Sequence, residues 1–214
     1  MSARHQCVAH LRVNVPGLRV AHAHEIVAAF FGYKSNIALR SDDTYPIDNI
    51  EKAKVMVPDV AGIKARLTKL HDLPEAMPSV FEIADMLSTF LVDDGWFNGA
   101  VWLYETIEGY IIDVYLVDKD YEILNDLSGV MAETNAYFDE AYFEEVEVTR
   151  TGDGMIIKAV GQYYGSNDPD RGFAGDTIDM AATITLDRVA GHTCFDQDHF
   201  SVVGEVNDDW YEDA

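Results

Sequence analysis

Eight consecutive positions, His192 to His199, hold two histidines, the thiol of Cys194 and the carboxylates of Asp196 and Asp198. In a strand, His192, Cys194, Asp196 and Asp198 would share one face, and such a row could hold a divalent cation. Cysteine beside aspartate mixes a soft ligand with hard ones, so a solvated strand edge is the plainer reading. His22 and His24, in His-Ala-His-Glu, lack the partner of a zinc helix. Ala28 stands where His-Glu-x-x-His places its second imidazole. The stretch Asn167 to Asp176 suggests a calcium loop, but a count from Asp168 puts Gly172 fifth and Phe173 sixth. A calcium loop needs an acid and then a glycine there. Arg171 is instead expected to pair with a neighbouring acid.

Carboxylates are too numerous, 38 Asp and Glu against 15 Lys and Arg, for one catalytic pair to stand out. No nucleophile elbow, phosphate loop or dinucleotide fingerprint occurs. The sequence therefore assigns no catalytic residue, no metal ligand and no cofactor, and it leans away from an enzyme.

The net charge of −23 is unevenly placed. Residues 1–70 carry +4 and residues 71–214 carry −27. Such a surface keeps a protein dispersed, repels nucleic acid and attracts basic surfaces. It could also occupy a DNA-binding groove by copying the charge of phosphates. Hydrophobic content of 48% and aromatic content of 11% exclude a disordered chain. No apolar run is long enough for a membrane span, and the N-terminus carries no secretory pattern. Cys7 and Cys194 have no metal-type spacing and read as a reduced pair rather than as a lone long-range disulfide, which the spacing also allows. The expected setting is cytoplasmic, with no membrane partner.

The elements follow from period and punctuation. Residues 1–17 read as a polar lead-in ending at the Pro16-Gly17 turn. Leu18 to Phe31 has helical spacing, Gly32 suits a helix C-terminus, and Ser35 suits the N-cap of a short helix, Asn36 to Ser41. Further helices are expected over Ile47 to Met56, Val60 to Leu70 and Val80 to Val92, the last opened by a Ser79/Glu82 capping box. Asp120 to Tyr142 reads as helix, with Leu124, Leu127, Val130, Met131, Thr134 and Phe138 along one side. Tyr110 to Val117 fits helix or strand. From about residue 144 the period becomes two, giving strands around Val146, Met155 to Tyr164, Thr177 to Asp187 and Phe195 to Val206. Thr151 to Gly154 reads as a hairpin turn. The fold class predicted is α+β: a mostly helical N-terminal two-thirds with a C-terminal four-stranded antiparallel sheet. Three regions are expected. Residues 1–74 form a mildly basic helical region, 75–143 an acidic helical region, and 144–214 a sheet region with an acidic tail that shares a core with 75–143.

The corner between the first two predicted helices has one DNA-reading possibility. Ala28 and Gly32 have the spacing of a helix-turn-helix, and Lys34, Ser35, Asn36 and Arg40 would face phosphates or bases. The turn Gly-Tyr-Lys-Ser is one residue longer than the common form, and the second helix is short, so a plain helical corner is the simpler reading. Ala23, Glu25, Ala28, Gly32, Tyr33, Ser35 and Leu39 form the pattern A-x-E-x-x-A-x-x-x-G-Y-x-S-x-x-x-L. This stretch, residues 23–39, resembles a small helical module on some glyoxalase-superfamily and mobile-element proteins. The segments from Asp126 to Glu140 and from Asp170 to Met180 look like those of uncharacterised bacterial proteins. The resemblance implies a bacterial origin and no mechanism.

Two functions follow as expectations. The first is a non-enzymatic protein-binding or regulatory protein that meets a basic protein surface through acids such as Glu145, Glu147, Asp179 and Asp187, in its sharper form as a nucleic-acid mimic. The alternative is a DNA-binding regulator that uses Lys34, Ser35, Asn36 and Arg40 in segment 20–41. A second copy of the chain is a further candidate partner.

Overall fold

The structure is a computed structural model that describes residues 2–167, 170 and 175–207. Most of the calcium-like loop, with Arg171, and the acidic tail from residue 208 onward lie outside the described residues. The chain divides into two compact units. The first comprises residues 1–110, 152–154 and 186–198, and the second comprises 111–151, 155–185 and 199–214.

In the first unit, α1 (Ala3–Asn14) replaces the polar lead-in expected from the sequence. Ala3, Cys7 and Leu11, all buried, recur at every fourth position. That stripe is narrow and lies between Arg4, His5, His10 and Arg12, so the segment reads as polar although it packs. Then come α2 (Val20–Phe30), α3 (Asn36–Ser41), a 3-10 turn at Ile47–Lys52, β1 (Val55–Met56), α4 (Val60–Leu67) and α5 (Val80–Asp93). The helix expected over Ile47 to Met56 is thus a short 3-10 helix, Ile47–Lys52, followed by a strand. The Ser79 hydroxyl accepts from Glu82 N at 3.2 Å and the Glu82 carboxylate from Ser79 N at 2.7 Å, which completes the capping box. Beyond α5 lie β2 (Ala100–Val101) and the single turn α6 (Ile107–Tyr110). The apolar faces of α1, α2, α4 and α5 meet in one core with Phe31, Met56, Phe97, Ala190 and Cys194.

The second unit begins with a π-turn at Ile111–Tyr115, then α7 (Leu116–Asp118) and α8 (Asp120–Met131). The chain continues into β3 (Ala136–Arg150), β4 (Gly154–Asn167), β5 (Thr177–Ala190), β6 (Cys194–Phe195) and β7 (His199–Val206). Within this unit β3 lies beside β4, β4 beside β5, and β5 beside β7. β5 reaches the first unit with its last residues, from Leu186, where it pairs with β6. One face of the second unit's strands buries Ile157, Ala159, Ile178, Met180, Ala182 and Ile184. Helix α8 contacts β7, and Leu127 approaches the backbone of Gly204.

The predicted fold class needs correction. Seven strands occur among the described residues, and the sheet is mixed: β1 runs parallel to β2 and antiparallel to β6. Two of these strands, β1 and β2, interrupt the N-terminal part that the sequence reads as helical. They are two residues long, too short to show a period of two. The helix expected over Asp120 to Tyr142 ends at Met131, and Phe138, placed on its apolar side, belongs to β3. The strand expected over Phe195 to Val206 breaks at Asp196–Asp198 into β6 and β7.

Two glycines shape the hairpin of β3 and β4. The β3 register slips between Phe138 and Glu140 and again between Phe143 and Glu145. Gly165 and Gly161 stand opposite these irregularities. A Cβ on Gly161 would lie 2.0 Å from the Tyr142 carbonyl oxygen, and one on Gly165 would lie 2.6 Å from that of Tyr137. Such bulges bend a strand and increase its twist, and the missing side chains let the partner strand come close.

Candidate functional site

The face of the second unit's sheet opposite its buried row carries an opening whose lining combines acids with exposed apolar groups. It is a cleft of about 650 Å³ lined by Glu144, Val160, Gln162, Asp179, Val203 and Glu205, among others. Strand alternation produces it. Asp179 and Ala181 on β5 stand opposite Glu205 and Val203 on β7, while Met180 and Ala182 point to the core. Val203 is 68% exposed and Val160 45%, so the floor is apolar and open. Asp179 is held in place: Gln162 Nε2 donates to it at 2.7 Å and Asn207 Nδ2 at 2.9 Å, and Tyr164 donates to Gln162 Oε1 at 2.5 Å. Glu205 stands directly across from Asp179, so like charges are paired across the strands, an arrangement a bound cationic group would relieve.

The predicted acids divide between the units. Glu145 faces Val160 and Glu147 faces Lys158 across β3 and β4, both exposed, and Asp179 lies on β5 of the same unit. Asp187 belongs to the first unit, where its carbonyl accepts from Asp196 N at 2.8 Å. The sequence reading missed Glu144 and Glu205. The alternation of Val203 and Glu205 with Val202 and Gly204 was available as a signal for the second. Glu144 faces the cleft at a bulge, which has no signature in the sequence. By sequence range the second unit holds twenty Asp and Glu against four Lys and Arg, net −16, and the first eighteen against eleven, net −7.

The alternative site, the corner at 20–41, is built from hydrogen bonds and packing. Tyr33 N donates to Ala28 O at 2.9 Å and Gly32 N to Ala29 O at 2.9 Å, with Gly32 at φ 81°, so α2 ends in a Schellman motif. Ser35 accepts from Ala38 N at 3.1 Å and caps α3. Glu25 accepts from Asn36 N at 3.2 Å and pairs with Arg66 at 3.4 Å. Ala28 and Leu39 are buried. Lys34 and Arg40 are exposed, Ser35 and Asn36 half-buried. Glu25, Gly32, Tyr33 and Ser35 of the A-x-E-x-x-A-x-x-x-G-Y-x-S-x-x-x-L pattern thus hold the corner by hydrogen bonds and turn geometry, and Ala23, Ala28 and Leu39 are buried.

Tyr33 also ties this corner to the end of β5. It donates to Asp42 at 2.6 Å, and Arg188, nearly buried, pairs with Asp42 and donates to the Tyr33 oxygen at 3.1 Å. Arg188 further donates to Gly152 O at 3.2 Å and to Gly191 O, and it lies 4.3 Å from the Tyr45 ring centroid. Burial alone would raise the Asp42 pKa. The hydrogen bonds from Tyr33 and Tyr45 N, with the Arg188 charge, outweigh burial and bring it down to about 2. Tyr33 is driven upward by desolvation and by its bond to Asp42. This network is saturated and serves as a structural tie.

The other candidate chemistry disperses. His192 lies in a turn with its ring 4.6 Å from that of Tyr33, Cys194 is buried in β6, and Asp196 and Asp198 follow outside the strand. Cys7 and Cys194 are free buried thiols whose pKa values burial pushes up to about 12. Among the described residues no three His, Cys, Asp or Glu side chains come together as a metal site. Among the same residues no helix is long and apolar enough to cross a membrane. Compared with known proteins, the chain matches no family model, no curated protein and no solved structure.

Proposed function

We propose that this is a non-enzymatic protein-binding or regulatory protein, cytoplasmic and bacterial, that receives a basic surface on the outer sheet face of its second unit. The observation that carries the reading is the cleft in which the exposed valines 160 and 203 lie among Glu144, Asp179 and Glu205. Apolar floor and acidic rim suit a partner whose lysines or arginines flank an apolar centre, because charge steers the encounter and burial holds it. In the sharper form, the acids stand in for nucleic-acid phosphates against a DNA-binding partner. The likeness of residues 23–39 to a bacterial helical module supports the bacterial setting. Titration calorimetry with a lysine/leucine amphipathic peptide at two salt concentrations tests the reading. Salt-sensitive binding that Val203→Lys weakens is expected, and binding unaffected by Val203→Lys overturns it.

The second reading is a DNA-binding regulator using Lys34, Ser35, Asn36 and Arg40, favoured by the exposure of Lys34 and Arg40 and of Ile37 at 75%. Against it, α3 has six residues, which leaves little length for a groove. A salt-sensitive gel shift with duplex DNA that Lys34→Gln weakens would favour it over the first.

A further inference from the structure

We propose that Arg4, His5, His24 and Arg40 form an anion site in the first unit that takes a phosphate group, as a free monoester or as a nucleic-acid diester. Helices α1, α2 and α3 supply these side chains from three directions. Arg4 Nη2 lies 3.4 Å from His5 Nε2, and the His5 and His24 rings meet edge to face with centroids 6.4 Å apart. Two of the groups carry buried nitrogens with no hydrogen-bond partner among the described residues, Arg4 Nε and His24 Nδ1. A desolvated, unsatisfied cationic group is costly unless an acceptor reaches it.

The charges around His24 are almost all of one sign. Arg4 and His5 of α1 and Arg40 of α3 bring positive charge to bear on it. On its own helix stands Glu25, the one acid in α1, α2 and α3, and Glu25 is already engaged by Arg66 of α4 and by Asn36 N. Burial first, then Arg4, His5 and Arg40, push the His24 pKa below its ordinary value, and Glu25 opposes them last and least. A phosphate brings one negative charge as a diester or up to about two as a monoester, with several acceptor oxygens, matching the Arg4 Nε–H and a protonated His24 Nδ1–H, while His5 Nε2 accepts from Arg4 and its Nδ1 pairs with Ser2 Oγ. Arg4 and His5 lie outside segment 20–41, while His24 and Arg40 lie within it, so the site shares Arg40 with the second reading; it does not depend on the acidic cleft of the other unit.

Linkage fixes the pH dependence. A phosphate that prefers protonated His24 must raise the pKa of that ring, and because a free phosphate itself takes up a proton between about pH 8 and 6, the ring midpoint and not the overall affinity reads the coupling. The test follows the His24 and His5 ring resonances by NMR across that range, in sodium phosphate and in sodium chloride at matched ionic strength. Phosphate should raise the His24 midpoint by about one unit more than chloride does, which equals about tenfold tighter binding to the protonated ring. Arg4→Gln, or the fully surface change Arg40→Gln should Arg4→Gln disturb folding, should abolish the excess, while Lys52→Gln keeps it. An equal rise in both salts is mere screening and overturns the proposal, as does an excess that survives Arg40→Gln with Arg4→Gln. Short duplex DNA added in phosphate separates the sources. Displacement of phosphate from the His24 signal supports a nucleic-acid diester, and phosphate binding without such displacement supports a free monoester.

Discussion

Tyr33 donates its hydroxyl to Asp42 at 2.6 Å, and Arg188, from a strand far along the chain, bonds to both. This joins the helical corner to the end of β5 inside one unit. The corner therefore has a fixed shape, and its conspicuous sequence pattern is accounted for by that shape. Tyr33→Phe removes two of these bonds, the one to Asp42 and the one from Arg188, and should lower unfolding free energy by about 1–3 kcal/mol. Arg188→Met leaves Asp42 without its cation and should cost more, about 3–5 kcal/mol. Urea denaturation of both variants checks the order.

The same contact predicts an acid limb. Asp42 titrates at about 2 when folded, against 3.8 ordinarily. The unfolded chain thus takes up this proton more readily, so the stability Asp42 contributes is complete above about pH 4 and lost as pH falls toward 2. The urea midpoint of the parent should fall through that window, and Asp42→Asn should flatten part of the fall.

The glycines of the sheet make a graded series. Gly161→Ala drives a Cβ against the Tyr142 carbonyl at 2.0 Å, and Gly204→Ala against Leu127 and Ile178 at 2.8 Å. Each should cost more than about 1 kcal/mol, with Gly161 the worse because backbone cannot move aside as a side chain can. Gly129→Ala, in α8 with nothing within 4 Å, should stabilise by about 0.5–1 kcal/mol. Thermal unfolding of the three variants gives the ranking.

The capping box offers a local check. Ser79→Ala should lower stability by about 1 kcal/mol and leave peptide binding by the second unit's cleft unchanged. Denaturation and calorimetry on the same variant separate the two effects.

Capping and turn chemistry were the most legible parts of the sequence. Ser35, Gly32 and the Ser79/Glu82 pair have local signatures because the bonds they make are local. The alternation in β5 was also readable, since each core-facing residue is apolar and each neighbour polar or small. Helix α1 was not, because its short apolar stripe, Ala3, Cys7, Val8 and Leu11, lies between Arg4, His5, His10 and Arg12. Strands β1 and β2 exist through their partners, Val55 with Ala100 and Phe195, and no local rule encodes that pairing. The switch from α8 to β3 was hidden because apolar residues at Leu127, Val130, Met131 and Phe138 satisfy a helical period whether or not the helix continues. For the candidate cleft, the acids on β3 and β5 were visible as an outward row. Glu144 reached it through a bulge, and Asp187 left it because β5 crosses from one unit into the other.

The central claim is that the outer sheet face of the second unit, and not negative charge in general, receives a basic partner. The direct test is the affinity of the lysine/leucine peptide for two charge-matched double variants. One is Glu147→Lys with Glu205→Lys on that face, and the other is Glu51→Lys with Glu75→Lys on exposed positions of the first unit. The account predicts a loss of about tenfold or more for the first pair and little change for the second. Equal losses for both pairs would contradict it.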